Sequence, residues 1–448
     1  MSDLSPISVL EQAVLDLASK PGSNPEFNPG FNLVLNPQQK FENFKSFLKT
    51  LNLIPTPYPV ILIAGTNGKG SVAHGLSHFL TKAGYNTGLF TSPHLFNFNE
   101  RICVNNQPVD DQELLKILEK LKNKLMPPLC PLASPSGLSL PPGERREQPG
   151  YLNYFQISFL LALEYFKNYK KINKKLDIGI FEIGIGGRFD CVNTLDPILS
   201  LICSISKDHM EILGEDLASI ANQKLGIARK NTALFYADKN PQEIIINNKI
   251  ASQTEVYNRD FFYPEEFLKL KKMPKMAEEN AALVLRALDY LTPKFPKLSN
   301  KNSEDILTIS APGRLVLKDK DNFKILIDVA HNEDSVRRLK KIIQENFNFP
   351  PLKIQAVFTA KPSKDIKMML EILSDLIQTW HVTGLETEYV NQSPAQCPLV
   401  LEHLNLHHYA SLDQAYQGAL KSMEPQGLLV CFGSFSVASF VLRELEKT

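Results

Sequence analysis

Residues 59–71 read PVILIAGTNGKGS, and this stretch decides the fold. Its first half is an apolar, largely β-branched run without polar alternation, which is typical of a buried strand in a parallel sheet. Its second half is rich in glycine and carries Lys69 and Ser71, and apolar residues at helical spacing follow from Val72 until Gly84. A strand, a glycine-rich loop and a helix in this order predict a phosphate-binding loop in an α/β domain.

The loop has the residue types that bind nucleotide phosphates. Backbone N–H groups converge there on an anion, the lysine can reach the β- and γ-phosphates, and the serine hydroxyl can bind Mg²⁺. The spacing differs from GxxxxGK[ST], because the loop is shorter and a glycine separates lysine from serine. A glycine-rich turn without a ligand is the alternative. The residues predicted to bind ATP are Gly65, Thr66, Asn67, Gly68, Lys69, Gly70 and Ser71.

Apolar runs continue to alternate with amphipathic stretches along the chain, which predicts an α/β fold with mostly parallel sheets. Further strands are predicted at 87–92, 177–187, 199–206, 232–237, 323–330, 352–360, 381–386 and 427–434.

The polar segment 297–305 is predicted to be a linker between two domains. It divides the chain into an N-terminal ATP-binding domain (1–299) and a smaller, Rossmann-like C-terminal domain (300–448). Residues 127–149 contain seven prolines. Proline fixes the backbone and lacks an N–H donor, so this segment is predicted to be a surface insertion.

Composition and charge exclude several classes of protein. Of 448 residues, 43% are hydrophobic and 22% are charged, as in chains that bury ordinary cores. A net charge of +1 gives no overall field that attracts nucleic acid or an anionic membrane. The N-terminus is too acidic for a signal peptide, no apolar run approaches roughly 18 residues, and the cysteines form no metal motif. The sequence predicts a reduced, cytoplasmic, soluble monomer.

Single polar residues follow several predicted strands, at the edge where doubly wound sheets bind ligands. Glu182 can hold Mg²⁺ there or can simply be solvated, and His209 is a metal ligand or a structural histidine. In the second half of the chain, His331 and Ser434 take the same position. Arg314 follows a Pro-Gly turn that can direct its guanidinium to a phosphate, although a surface arginine is the default.

An ordered set of motifs resembles one family, the folylpolyglutamate synthases and dihydrofolate synthases of the Mur ligase superfamily. The resemblance runs from about residue 31 to the C-terminus and omits the proline-rich insertion. The motifs are GTNGKGS (65–71), TSPHL (91–95), NERI (99–102), FEIGIGGRFD (181–190), KDH (207–209), SIANQKLGIARK (219–230), ENAALVL (279–285), APGR (311–314), DVAHN (328–332) and GSF (433–435).

The resemblance implies an ATP-dependent reaction. The γ-phosphoryl group would pass to a carboxylate of dihydropteroate or folate, and the amino group of L-glutamate would attack the acyl phosphate. It also implies a role for each matching residue. Two Mg²⁺ ions are bound with Ser71, Glu182 and His209; Asn280, Arg314 and Asp328 contact the nucleotide; Ser92, His94, Glu100, Arg101, His331 and Ser434 bind substrates; and Lys69, His209, Lys224 and His331 are catalytic.

Lys224 carries the most specific expectation. It lies on a helix predicted from Glu215 to Arg229, where an isolated lysine is expected to be solvated. The resemblance implies that the matching lysine is carbamylated by carbon dioxide, which turns it into an anion suited to Mg²⁺. Nearby positive charge lowers the pKa of a lysine and leaves the neutral amine that takes up carbon dioxide. The chain differs here from the family pattern, since Gln223 replaces a common glutamate.

Two other functions remain open. One is a Mur-type ligase that adds an amino acid to a cell-wall precursor; the short stretch before the phosphate loop, with no evident nucleotide-sugar domain, argues against it. The other is a nucleotide-binding switch module, but the sequence has no [NT]KxD motif for reading guanine. The motifs do not distinguish dihydrofolate synthesis from polyglutamate extension.

Overall fold

The computed structural model describes residues 8–18, 36–125, 152–169, 175–268, 273, 275–347, 353–384 and 403–447. The proline-rich segment 127–149 lies outside the described residues, and its role as an insertion stays a prediction. The chain forms two compact units. The first unit contains Ile7–Tyr263 and Glu279–Ser303, and the second contains Pro264–Glu278 and Glu304–Thr448.

An eight-stranded sheet forms the centre of the first unit. Its strands are β1 (Val60–Ala64), β2 (Thr87–Phe90), β3 (Ile102–Val104), β4 (Gln107–Pro108), β5 (Ile178–Glu182), β6 (Leu199–Ile202), β7 (Ala233–Tyr236) and β8 (Gln253–Val256). The strand order is β4-β3-β2-β5-β1-β6-β7-β8. Six neighbouring strands, β2, β5, β1, β6, β7 and β8, pair in parallel. At one side of the sheet, β3 pairs antiparallel with both β2 and β4.

A six-stranded sheet forms the centre of the second unit. Its strands are β9 (Val316–Lys320), β10 (Phe323–Ile327), β11 (Ile354–Phe358), β12 (Thr379–Thr383), β13 (Asn405–Tyr409) and β14 (Leu428–Phe432). The order is β13-β12-β11-β14-β10-β9, and only β9 is antiparallel to its neighbour. The predicted fold class, α/β with two mostly parallel sheets, is therefore confirmed.

Helices flank both sheets. They are α1 (Val9–Ala18), α2 (Pro37–Thr50), α3 (Lys69–Lys82), α4 (Asp111–Leu125), α5 (Tyr154–Asn168), α6 (Met210–Leu213), α7 (Leu217–Leu225), α8 (Glu243–Ile246), α9 (Glu265–Leu268), α10 (Glu278–Leu291), α11 (Glu333–Asn346), α12 (Ile366–Leu373), α13 (Leu412–Ser422) and α14 (Phe435–Glu446). Among the described residues, no helix is both long and apolar enough to cross a membrane.

The central strands are buried on both faces, as their continuous apolar sequence predicts. Every residue of β1 is buried, and α3 packs on β1, β2 and β5. In the second unit, the rings of Phe358 and Phe432 lie 5.0 Å apart, and Trp380 packs against both. Each sheet thus holds the carboxyl ends of its parallel strands at one edge, where a ligand-binding site is expected.

Two predicted helix boundaries were wrong. Helix α3 begins at Lys69 and not near Val72, because Gly68 adopts a left-handed conformation (φ 88°) and caps the helix inside the loop. Helix α7 is shorter than the predicted 215–229. It begins after Asp216, whose side chain accepts a hydrogen bond from Ser219 N, and it ends at Gly226.

Candidate active site

The phosphate loop connects β1 to α3 at the carboxyl edge of the first sheet. Since α3 begins at Lys69, the free N–H groups of its first turn lie in the loop itself, as an anion site requires. Lys69 Nζ donates to the carbonyl of Thr66 at 3.2 Å, which keeps the ammonium group over the loop. The local backbone thus has the donors and the positive charge that bind phosphate.

Ser206, which the sequence did not single out, holds the loop in place. Thr66 Oγ1 donates to the Ser206 carbonyl at 3.1 Å and accepts from Ser206 N at 3.1 Å. Asn67 Nδ2 donates to Ser206 Oγ at 3.2 Å. Gly65 is equally constrained, because a Cβ atom there would lie 2.7 Å from Cys203 Cβ. The segment after β6 therefore determines the shape of the loop.

Asn280, on α10, lies directly against the phosphate loop. A Cβ atom at Gly68 would lie 2.2 Å from Asn280 Nδ2, so only glycine allows this approach. The side chain is 3% exposed, although an asparagine on an amphipathic helix would ordinarily be expected at the surface. Its Oδ1 is buried without a hydrogen-bond partner among the described residues. A buried acceptor of this kind needs a donor, which a bound nucleotide supplies only through a ribose hydroxyl or a base amino group.

Glu182 ends β5 beside the same loop. Its carboxylate is 3% exposed, so the solvated alternative is wrong. Glu182 Oε2 accepts from Ser92 N at 3.1 Å and lies 3.6 Å from where a Cβ of Gly70 would be. Ser71, which follows Gly70 in the chain, is also buried. A carboxylate and a hydroxyl beside a phosphate loop are hard oxygen ligands that suit Mg²⁺.

His209, the third predicted metal ligand, adopts a left-handed conformation (φ 52°) just before α6. Its side chain is 40% exposed, with ring nitrogens 3.6 Å from a Glu211 oxygen and 4.0 Å from an Asp208 oxygen. Among the described residues, no three His, Cys, Asp or Glu side chains are grouped as a metal site. A cation here therefore needs hydroxyl, phosphate or water oxygens as further ligands, which is the usual coordination of Mg²⁺.

Lys224 is buried, and the expectation of a solvated side chain is wrong. It is 3% exposed, and its Nζ donates to the carbonyl of Gly65 at 2.8 Å. Burial and, to a smaller extent, the positive charge of Lys69 together lower the pKa of Lys224 to about 7, against the opposing effect of Asp208 and Cys203. Near neutral pH, much of the side chain is thus a neutral amine next to the phosphate loop.

The glycine-rich loop after β5 brings α7 to this position. Arg188 N donates to the Gln223 carbonyl at 2.8 Å, and a Cβ at Gly187 would lie 2.7 Å from the same oxygen. Asp190 holds the loop by accepting from Gly184 N and Ile185 N, both at 3.1 Å. Burial raises the pKa of Asp190 to about 6, against the lowering effect of these hydrogen bonds. Asp190 is a second supporting residue that the sequence reasoning did not assign.

Glu100 orders the loop after Ser92, since its carboxylate accepts hydrogen bonds from three backbone N–H groups. The donors are Leu95 N at 2.8 Å, Phe96 N at 2.9 Å and Asn97 N at 2.7 Å. These bonds occupy both carboxylate oxygens. Glu100 therefore supports the loop structurally, and its predicted contact with substrate has no support in this geometry.

His94 and Arg101 lie together in the same loop region. Arg101 Nε donates to His94 Nδ1 at 2.8 Å, and Arg101 is 8% exposed. Burial lowers the pKa of His94 to about 3, with a further contribution from the charge of Arg101. The imidazole is neutral under working conditions, so Arg101 carries the positive charge of this pair.

In the second unit, the predicted residues follow β10 and β14, which are neighbouring parallel strands. Asp328 accepts from Leu315 N at 2.9 Å and from Ala330 N at 2.7 Å. Burial raises the pKa of Asp328, and the positive charges of Arg314 and Arg338 act in the opposite direction. Asp328 therefore ties the turn that carries Arg314 to the end of β10.

His331 and Ser434 occupy the same edge of the second sheet. His331 Nδ1 lies 2.8 Å from the Val329 carbonyl, a contact that fixes the orientation of the ring. Ser434 is 8% exposed and caps α14, its Oγ accepting from Val437 N at 3.3 Å. Helix α14 thus begins beside the end of β10, and the N–H groups and dipole at its N-terminus would stabilise a carboxylate there.

Comparisons with known proteins agree with this geometry. Residues 313–435 match the family described as Mur ligase, glutamate ligase domain. The dihydrofolate synthase/folylpolyglutamate synthase of Bacillus subtilis (strain 168) is 29% identical over 351 residues, which are 72% of this chain and 76% of the relative. That of Haemophilus influenzae is 28% identical and covers 89% of this chain and 92% of the relative. That of Escherichia coli (strain K12) is 26% identical and covers 88% of each.

Solved structures share the fold. The E. coli FolC structure in complex with DHPP and ADP has a TM-score of 0.74 at 23% identity and covers 99% of both chains. The bifunctional folylpolyglutamate synthase/dihydrofolate synthase of Yersinia pestis, complexed with AMPPNP and Mn ion, has a TM-score of 0.74 at 24% identity, with 99% and 100% covered. Residues 313–435 thus match a Mur ligase glutamate ligase domain, and the chain as a whole is similar to dihydrofolate synthase/folylpolyglutamate synthases in sequence and to their solved structures in fold.

Proposed function

We propose that the protein is an ATP-dependent ligase that joins L-glutamate to dihydropteroate, to folate, or to both. The observation that carries the proposal is the phosphate loop with Glu182, Asn280 and Lys224 buried against it. The relatives named above support the substrates. So do the ligands in solved structures of the same fold, which include DHPP with ADP, and Mn with AMPPNP and L-glutamate.

The chemistry explains the need for ATP. A carboxylate and an amine do not condense at neutral pH, because hydroxide is a poor leaving group. In the first step, a substrate carboxylate oxygen attacks the γ-phosphorus, which gives ADP and an acyl phosphate. In the second step, the amino group of glutamate attacks the acyl carbon, so that inorganic phosphate leaves, the nitrogen loses a proton and an amide forms.

The residues of the first unit suit the first step. Lys69 and the N–H groups at the start of α3 stabilise the negative charge that spreads over the transferring phosphoryl group. Asn280 contacts the nucleotide. Magnesium, as two ions held with Ser71, Glu182 and His209, would neutralise phosphate charge when bound. Because burial lowers the pKa of Lys224 to about 7, the neutral amine that adds carbon dioxide is accessible near neutral pH, and we assign Lys224 as the carbamylated residue.

We assign the binding of L-glutamate to the C-terminal domain (300–448), through His331 and Ser434. Arg314 and Asp328 are assigned to the nucleotide, as the family resemblance implies. Ser92, His94 and Arg101 are assigned to the pteroate or folate substrate. We assign the protein as a cytoplasmic monomer that uses only small-molecule substrates, and its balanced charge provides no overall field that attracts nucleic acid or an anionic membrane. Light scattering of the purified protein tests the monomeric state.

One experiment tests the function. The protein is incubated with ATP, Mg²⁺, L-glutamate and either dihydropteroate or a reduced folate, and the products are analysed by mass spectrometry. A gain of one glutamate on dihydropteroate demonstrates dihydrofolate synthase activity, and successive gains on folate demonstrate chain extension. No gain on either substrate, together with amino-acid addition to a cell-wall precursor or hydrolysis of GTP alone, would overturn the proposal.

A further inference from the structure

Four side chains of the first unit form a connected polar cluster that we call the Glu11 cluster: Glu11, His94, Arg101 and Tyr154. Glu11 Oε1 accepts from the Tyr154 hydroxyl at 2.9 Å and lies 3.4 Å from His94 Nε2. On its other side, the His94 ring accepts from Arg101 Nε at 2.8 Å. The first helix thus connects through one imidazole to a guanidinium that is distant in sequence.

The direction of the hydrogen bonds fixes the state of His94. Arg101 Nε is always protonated and can only donate, so His94 Nδ1 must accept. The proton of the neutral ring is therefore on Nε2, the nitrogen that faces the Glu11 carboxylate. A carboxylate at this position favours this tautomer and resists rotation of the ring. Glu11 consequently controls the orientation of the group that holds Arg101.

Arg101 is a buried cation that lacks a carboxylate partner among the described residues. It is 8% exposed, and no Asp or Glu oxygen of the described residues lies within 4.0 Å of its guanidinium nitrogens, the distance that defines an ion pair. Its guanidinium lies over the rings of Tyr154 and Phe98, at 5.1 Å and 5.9 Å from their centroids. Aromatic faces offset only part of the free energy needed to bury a charge. The terminal nitrogens are thus available for an anionic ligand.

The position of Arg101 relates this anion to the candidate active site. The Arg101 carbonyl accepts from Thr91 N at 3.0 Å, at the end of β2. The next residue, Ser92, donates its N–H to Glu182 beside the phosphate loop. The backbone of Arg101 is thus linked through Thr91 and Ser92 to Glu182 beside the phosphate loop. Dihydropteroate and folate both carry carboxylates of the kind that a guanidinium binds.

We propose that Glu11 is a positioning residue for substrate binding: through His94 it orients Arg101 so that the guanidinium binds a carboxylate of the pteroate or folate substrate. This inference rests on the proposed function. Glu11 lies on a helix outside the family motifs, and its partner Tyr154 also lies outside them. The resemblance by itself gives neither residue a role.

Steady-state kinetics of the full-length protein test the inference with three variants. Glu11→Ala removes the acceptor, and we expect about a tenfold rise in KM for the folate substrate, with kcat and the KM values for ATP and glutamate unchanged. Glu11→Gln retains an acceptor oxygen for His94 and Tyr154, so its KM should stay within about threefold of the parent. Asp16→Asn, on the same helix with an exposed contact to Gln12, is the matched control and should equal the parent.

A double-mutant cycle separates positioning from general stability. If Glu11 acts through His94, Glu11→Ala should have no further effect on the folate KM in a His94→Ala background. Additive effects, or a fall in kcat and a rise in all three KM values together, would overturn the inference. Should Glu11→Ala not fold, Glu11→Asp, which withdraws the carboxylate by one methylene, is measured with the same expectation. A parent without ligase activity refutes the proposed function; an active parent with an unaffected Glu11→Ala refutes only this inference.

Discussion

Lys224 is buried at the carboxyl edge of the first sheet, although its position on a helix suggests a solvated side chain. The reason is the glycine loop after β5, which packs against the backbone of α7 and turns this side chain toward Gly65. Such packing joins segments far apart in sequence, so helical periodicity does not reveal it. The shift in the pKa of Lys224 follows directly from the same burial.

The carbamylation that we propose for Lys224 leads to a prediction about two variants. Lys224→Arg retains a positive charge that cannot take up carbon dioxide, and we expect turnover at saturating ATP to fall by about a hundredfold or more. Lys224→Ala should be equally slow but should regain part of its activity with added short carboxylates, which replace the missing anion. Initial rates with and without acetate measure both effects.

The parent protein supplies the direct control for this prediction. With ¹³C-bicarbonate, it should show a carbamate carbon signal that is absent from both variants. An Arg variant as active as the parent, or a structure with metal and nucleotide bound and a plain amine at Lys224, would contradict the assignment.

At the scale of elements, the sequence predicted the central strands and missed the edges of both sheets. Strands such as β1 and β14 are continuous apolar runs, since both of their faces are covered. Edge strands have no such constraint. β13 reads NLHHY and contains only exposed and half-buried residues, while β4 consists of only Gln107 and Pro108. Their pairing depends on a neighbouring strand that is already in place, and local sequence does not encode it.

Because α3 begins inside the phosphate loop, we expect a substitution of Gly68 to affect both nucleotide binding and stability. Gly68→Ala places a side chain at φ 88°, and its Cβ would meet Asn280 Nδ2 at 2.2 Å. We expect a rise of at least about tenfold in KM for ATP, since either the loop or Asn280 must move by more than 1 Å. We also expect a loss of about 1–2 kcal/mol in the free energy of unfolding from the left-handed backbone alone.

Gly84→Ala is the matched control for this prediction. Gly84 has a similar φ of 84°, but its Cβ would meet nothing closer than Lys297 Nζ at 3.8 Å. This variant should lose comparable stability and retain the parent KM for ATP. Equal KM values for the Ala variants at positions 68 and 84 would show that Asn280 and the loop do not act together in binding nucleotide.

A buried histidine between strands of the second sheet predicts how stability depends on pH. His381 on β12 is 2% exposed, with its ring nitrogens 2.9 Å from the Tyr409 hydroxyl and 2.8 Å from Gln355 Oε1. Burial lowers the pKa of His381 to about 4, and the stacked His407 adds to the effect. In the unfolded chain the pKa is near 6.5, so the unfolded state binds the proton first.

The contribution of His381 to stability is therefore complete above pH 6.5 and is lost as the pH falls toward 4. Urea unfolding of the full-length chain at pH 7.5 and pH 5 measures this loss. His381→Gln cannot titrate and should lose less stability between the two pH values than the parent does. His408→Gln, at an exposed position of β13, should behave as the parent. An equal loss in the parent and in His381→Gln would refute this account.

At the scale of the whole molecule, the sequence motifs identified most residues of the candidate site. They did not identify the residues that support these side chains and loops from other parts of the chain. The phosphate loop, Glu182 and Asn280 are recognisable because each lies in a short motif after a strand or on a helix. Ser206 and Glu11 are not, since their partners lie far away along the chain, for example the Thr66 hydroxyl for Ser206 and the Tyr154 hydroxyl for Glu11. Supporting contacts of this kind arise only when the sheet order brings distant segments together.

The division of the chain into two units predicts that the two chemical steps can be separated. The candidate groups around the phosphate loop, among them Lys69 and Glu182, belong to the first unit, whereas the residues assigned to glutamate, His331 and Ser434, belong to the second. Acyl phosphate formation should therefore require ATP and the pteroate or folate substrate but not glutamate. Positional isotope exchange in labelled ATP, measured without glutamate, should be detectable in the parent.

His331→Ala and Ser434→Ala should distinguish the two steps most sharply. Both variants are expected to retain isotope exchange within about threefold of the parent, while formation of the glutamylated product falls by about a hundredfold, because only binding of the amine is impaired. Lys69→Ala is the opposite control, since it should lose exchange and product together. If the bound phosphate cannot rotate, exchange is invisible, and trapping of the acyl phosphate with hydroxylamine replaces it as the measurement. Exchange or trapping that appears only when glutamate is present would show that the amino acid takes part in the first step and would refute the separation.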